Sequence, residues 1–104
     1  MTWAEDLASL KERARDIQDL GHAQAVLAWD QETLMPPKAG PSRGRVLGVL
    51  SRLAHERIAD QKIASLLASV ESSGKLKPGS DDAAFIRLVR RYHEHASRVP
   101  SELV

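Results

Sequence analysis

The chain has 104 residues, 42% of them hydrophobic, with 15 Lys and Arg against 14 Asp and Glu, a net charge of +1, and no cysteine. At this length one modest core can bury ~65% of the unfolded surface, so residues 1–104 are expected to form a single unit. Lack of cysteine excludes disulfide scaffolds, zinc–thiolate sites and thiol nucleophiles, and the near-neutral balance argues against a strongly basic nucleic-acid binder. The N-terminus, Met1-Thr2-Trp3-Ala4-Glu5-Asp6, has no apolar leader segment. No apolar run approaches the ~20 residues of a membrane span. A soluble, cytoplasmic protein is expected, with no membrane contact.

The first helix should begin at Thr2, where Thr2-Trp3-Ala4-Glu5 has the form of a capping box. Trp3, Leu7, Leu10, Ala14, Ile17, Gly21 and Ala25 recur at intervals of three and four, the mark of a buried helical stripe. Leu20, Ala23, Val26, Leu27 and Ala28 widen it, so the second half is expected to be covered on more than one side. The pattern runs to about Asp30 or Glu32. Met35-Pro36-Pro37 then ends it, because proline disfavours helix in the preceding residue and cannot donate to the ladder.

A second helix should start near Ser42 as N-cap, with Val46, Val49, Leu50, Leu53 and Arg57 or Ile58 inward. Arg43, Arg45, Arg52 and Glu56 should face solvent, with Arg52–Glu56 an i,i+4 pair. Asp60 looks like a fresh N-cap for a short third helix burying Ile63, Leu66, Leu67 and Val70. Ser72 to Ser80 is the clearest loop. Ser80 or Asp81 should cap a fourth helix, with Phe85, Leu88, Val89, Tyr92 and Ala96 inward and Pro100 ending it. Pro100-Ser101-Glu102-Leu103-Val104 resembles the start of another helix, which suggests a truncated chain. No segment shows strand alternation or a hairpin turn. The fold class expected is all-α, an up-down arrangement of three or four helices that self-association could complete.

Charge is unevenly placed. Residues 1–37 carry Glu5, Asp6, Glu12, Asp16, Asp19, Asp30 and Glu32 against Lys11, Arg13 and Arg15. Residues 38–58 carry Lys38, Arg43, Arg45, Arg52 and Arg57 against Glu56. Two helices packed side by side explain this asymmetry. Arg43, Arg45, Arg52 and Arg57 are the alternative basic patch for a nucleic acid, which is disfavoured because no aromatic residue is interleaved for base stacking.

His93-Glu94-His95 cannot hold one ion on a helix, since residues two apart point roughly 200° apart. These two histidines are expected at the surface or at the helix end. His55-Glu56 resembles half of a His-Glu-x-x-His zinc motif, but Ala59 stands where the second histidine belongs. His22 stands alone and should lie at the surface. Asp30 with Glu32, and Asp81 with Asp82, are the paired carboxylates; caps and solvated surface account for them.

The stretch Ala28-Trp29-Asp30-Gln31-Glu32-Thr33-Leu34-Met35-Pro36-Pro37 is followed by an arginine-started helix with Leu53-Ala54-His55-Glu56. Leu66-Leu67, Val89-Arg90-Arg91 and Val99-Pro100-Ser101-Glu102-Leu103-Val104 come later in the same order. Together they resemble the N-terminal region of the M32 family of metallocarboxypeptidases, the carboxypeptidase Taq group. The resemblance implies long, largely helical, cytoplasmic, often dimeric enzymes that use zinc or cobalt to remove C-terminal residues from peptides. It also implies a His-Glu-x-x-His helix and a downstream glutamate as the metal site. None of these lies in this sequence. No catalytic residue, metal ligand or cofactor is therefore expected in this chain. The expected function is that of a non-catalytic N-terminal fragment or truncated homologue, inactive alone. Its expected partner is a second copy or the missing catalytic portion.

The signature residues Trp29, Asp30, Thr33, Met35 and Pro36 have a structural reading as a helix-ending joint. Trp29 would pack at the helix end, Asp30 or Thr33 would bond loop backbone, and Met35 would plug the junction; a cleft-lining role is the alternative. The alternative function is a stand-alone helical module for dimerisation or partner docking.

Overall fold

Four helices follow one another in the computed structural model, which describes residues 2–33 and 40–98: α1 (Trp3–Thr33), α2 (Gly40–Ala59), α3 (Gln61–Ser72) and α4 (Asp81–Ser97). No strand occurs among the described residues, so the fold is all-α. None of the described helices is long and apolar enough to cross a membrane.

α1 starts as its sequence dictates. The Thr2 hydroxyl accepts from the Glu5 N–H at 3.2 Å, and Glu5 and Asp6 place negative charge at the positive end of the helix dipole. At ~1.5 Å per residue, α1 alone spans most of the 55 Å long axis of the molecule.

α2 begins at Gly40, earlier than the expected Ser42 cap. Pro41 falls in the first turn, where a missing N–H costs nothing, so the proline starts the helix and Ser42 lies within it. α2 and α3 run back along α1 as one broken arm. Arg43 lies beside Leu27 and Asp30, Arg13 approaches Asp60 at 3.8 Å, and Ser69 meets Asp6. Asp60 makes the break: its extended ψ of 135° interrupts the helix, and its side chain accepts from the Lys62 N–H at 3.0 Å.

The turn into α4 needs two glycines, Gly74 at φ 70° and Gly79 at φ 81°, both in the left-handed region that strains other residues. Ser80 then caps α4, accepting from the Ala83 N–H at 3.1 Å. α4 lies across the α2–α3 joint. Lys11 pairs with Asp82 at 2.8 Å near the start of α4, and Arg90 reaches Glu71 on α3 and Glu94 on its own helix. The hydrogen bond that Arg90 donates to Glu71, the charge of Glu71 and then Glu94 hold the Arg90 guanidinium pKa above its ordinary value.

The core is Leu7, Leu10, Ile63, Leu66, Leu67, Val70, Ile86 and Val89, all at one end of the molecule. The α3 stripe is buried as the sequence indicated. Three other inner faces differ from expectation. In α4 the buried line is Ile86, Val89, His93 and Ala96, while Leu88 and Tyr92 face solvent. α2 buries no residue: Val46, Val49 and Leu53 are exposed, and Arg43, Leu47, Leu50, Ala54 and Ile58 form its half-buried side. Among the described residues the second half of α1 is covered mainly by α2, leaving Gly21, Ala25, Val26 and Trp29 exposed. The cause is geometric, since α3 packs on the first half of α1 only. The radius of gyration, 16.6 Å, exceeds the ~13 Å of a compact domain of this length because the α1–α2 hairpin stands out from the core.

Candidate functional site

Two regions are candidates for function: the joint between α1 and α2, and an apolar hollow where α1, α2 and α4 meet.

At the joint, Arg43 is the organising side chain. Its Nη1 donates to Asp30 Oδ2 at 2.7 Å and to the Leu27 carbonyl at 3.2 Å. Both partners of the ion pair are half-buried, which shields the pair from screening. Arg43 was expected on the exposed side of its helix, and Asp30 on loop backbone. They find each other because α2 returns antiparallel to α1 and puts its first turn beside the last turns of α1. Trp29 is 59% exposed. The side chain of Thr33, together with Met35 and Pro36, lies outside the described residues.

The remaining arginines disperse around α2. Arg45 and Arg52 are seven residues apart on the outer side, while Arg57 lines a shallow hollow with Asp16, Asp19 and Leu20 of α1. With Arg43 engaged at the joint, the four do not form one basic face. The expected Arg52–Glu56 pair is not formed.

The hollow has two lobes, of about 480 and 400 Å³, that share Ile17, Ile58 and Tyr92. Phe85, Leu88 and Val89 line the first, and Ala54, His55, His95 and Ala96 the second. Its chemistry is apolar, and of the two histidines that line it His55 meets a carbonyl while His95 is exposed. His93, expected at the surface, is buried, and its Nδ1 lies 2.7 Å from the Ile58 carbonyl. His55 Nε2 lies 2.9 Å from the Ala96 carbonyl. Each ring nitrogen must carry a proton to donate to a carbonyl. His55 Nδ1 is buried without a hydrogen-bond partner among the described residues. His95 and His22 are exposed, as expected for lone histidines.

Sequence reasoning missed two further polar residues. Asp6 is buried, and its carboxylate accepts from the Ser69 hydroxyl of α3. Its place in the first turn of α1, beside Leu7, was the available signal. His93 stands seven residues after Ile86 and four after Val89, which is core spacing.

A zinc site needs three protein donors converging on one point. Among the described residues no group of three His, Cys, Asp or Glu could hold a metal ion. The described donors do not converge as zinc or cobalt would need.

The described part of the chain is an all-helical arm with an apolar hollow and a joint at the signature stretch. The sequence profile of the carboxypeptidase Taq (M32) metallopeptidase family matches residues 9–104, and the chain belongs to this family. Thermostable carboxypeptidase 1 of Thermus thermophilus is 36% identical to it over 96 residues, covering 91% of this chain and 19% of the relative. Thermostable carboxypeptidase 1 of Pyrococcus furiosus is 28% identical over 100 residues, covering 96% of this chain and 20% of the relative. The chain thus spans about a fifth of the length of these relatives.

Proposed function

We propose that the chain is a non-catalytic N-terminal helical segment of an M32 metallocarboxypeptidase. It would serve as scaffold in an enzyme that removes C-terminal residues from peptides. The observation that carries this reading is a contrast of extent. The family match covers nearly the whole chain, yet the chain covers about a fifth of its relatives and contains no His-Glu-x-x-His. Metal-assisted hydrolysis needs ligands, an open position for water and a base beside it. His55, which lines the hollow, and the buried His93 meet carbonyls, and the other lining histidine, His95, belongs to no group of three metal donors among the described residues. The chemistry therefore belongs to the other four fifths or so of such an enzyme.

Exposed apolar residues support the scaffold role. Leu88 and Tyr92 stand open beside the hollow, where a larger core would cover them. Covering one such side chain contributes about 1.5–3 kcal/mol, so the chain by itself should be marginally stable. Metal analysis after dialysis against zinc tests the reading. Less than one tightly held zinc per several chains is expected, and one zinc per chain would refute it.

A further inference from the structure

The apolar hollow between α1 and α4 is bordered by unpaired positive charge on both banks. Gln18 of α1 lines it, as do Leu88 and His95 of α4. Arg15 stands three residues before Gln18, and Arg91 stands three after Leu88 and four before His95. At those intervals each arginine shares the side of its helix that borders the hollow. Lys11, one turn before Arg15 on the same side of α1, reaches Asp82 of α4 at 2.8 Å, which marks that side as the one turned to α4. Arg15 and Arg91 are exposed and join no ion pair among the described residues. The acids one turn away are placed elsewhere. Asp19 lines the separate shallow hollow with Arg57, and Glu94 pairs with Arg90. Asp81 lies at the start of α4, ~15 Å along the helix from Arg91.

We propose that the hollow binds a medium-chain alkyl carboxylate, an unbranched chain of about eight carbons whose head meets Arg91 and Arg15 at the mouth. The two lobes, of about 480 and 400 Å³, meet at Ile17, Ile58 and Tyr92, so a linear chain can lie across both. Charge complementarity selects the head. An alkyl ammonium would be repelled by both arginines, and a neutral chain would gain nothing from them. A free amino acid would set its ammonium against the same two charges. A peptide would carry N–H and C=O groups into a mainly apolar lining, where few find partners. An alkyl carboxylate is apolar where the hollow is apolar and anionic where its banks are basic. The hollow is open to solvent, so the dissociation constant should be about 0.1–1 mM. The inference stands on the hollow and its two banks and does not rest on the M32 reading.

Isothermal titration calorimetry of the chain with octanoate tests it. One octanoate per chain is expected, with octanol and octylammonium at least about tenfold weaker. Arg15→Gln and Arg91→Gln should each weaken octanoate about threefold to tenfold and leave octanol unchanged. Added salt should narrow the gap between octanoate and octanol, because it screens the head and not the tail. Leu88→Glu, which sets a carboxylate on the apolar bank, should weaken octanoate about tenfold or more. All three positions are exposed, and far-UV circular dichroism checks that each variant keeps its helix. Absence of a saturable one-to-one site, octanol as tight as octanoate, or indifference to both arginine substitutions would overturn the inference. So would an N-acetylated peptide ending in leucine that binds more tightly than octanoate, since the occupant would then be a peptide.

Discussion

His55 and His93 cap each other's helices. His55, on α2, reaches the Ala96 carbonyl in the last turn of α4 at 2.9 Å, and His93, on α4, reaches the Ile58 carbonyl in the last turn of α2 at 2.7 Å. The last four carbonyls of any helix lack intrahelical donors. Here each helix supplies the donor for the other, which fixes α4 across the α2–α3 joint. His93→Ala should cost about 2 kcal/mol, from a lost hydrogen bond to a buried carbonyl plus a cavity. His55→Ala should cost about 1 kcal/mol, since its ring is only half-buried. Urea denaturation of the single and double variants measures both, and a coupling of about 0.5 kcal/mol or more is expected because both rings clamp one joint.

Arg43 closes the α1–α2 hairpin. Arg43→Met keeps the stem but leaves Asp30 without its partner, and should cost about 1–2 kcal/mol for a half-buried pair. Hydrogen exchange is the sharper measurement. Amides in the last turns of α1 and the first turns of α2 should lose protection, while those of α3 keep theirs, because the core lies at the other end.

The inner faces predict opposite outcomes for similar substitutions. Leu67 and Val70 are fully buried, so Leu67→Ala should cost about 3 kcal/mol. Val46 was an inner residue on sequence grounds but is 40% exposed. Val46→Ser should stay within about 0.5 kcal/mol in the monomer. Thermal or urea unfolding separates the two, and equal costs would restore the sequence-based face of α2.

Asp6 is a buried carboxylate at a helix N-terminus, with Ser69 as its hydroxyl donor. Asp6→Ala removes both the dipole interaction and the contact with α3, and should cost about 1–2 kcal/mol. Asp6→Asn keeps an acceptor for Ser69 and should recover about half of that loss. Denaturant midpoints report both values.

The parts of the fold written in short-range chemistry were legible in the sequence. Thr2, Asp60 and Ser80 each cap the helix that follows, because a cap needs only a side-chain oxygen and the next few N–H groups. The α3 stripe was legible because Ile63, Leu66, Leu67 and Val70 are nearly its only large apolar residues. In α4 the doubled pairs Phe85-Ile86 and Leu88-Val89 allow two stripes. The one ending in Tyr92 is more hydrophobic, but the fold chose the one ending in His93, whose proton a carbonyl could use. α2 failed for a related reason, as its inner side is chosen by Arg43 reaching Asp30, a contact between residues thirteen apart. The Trp29-to-Pro37 stretch carried the family but not a chemistry, and the contact of Asp30 with Arg43 was not legible because it depends on how α2 returns along α1.

Incubation of the chain with C-terminal peptide substrates and added Zn²⁺ or Co²⁺ tests the scaffold assignment most directly. No release of C-terminal residues should scale with the concentration of the chain, because its histidines and carboxylates form no metal-binding group among the described residues. Turnover proportional to chain concentration, abolished by a chelator, would contradict it.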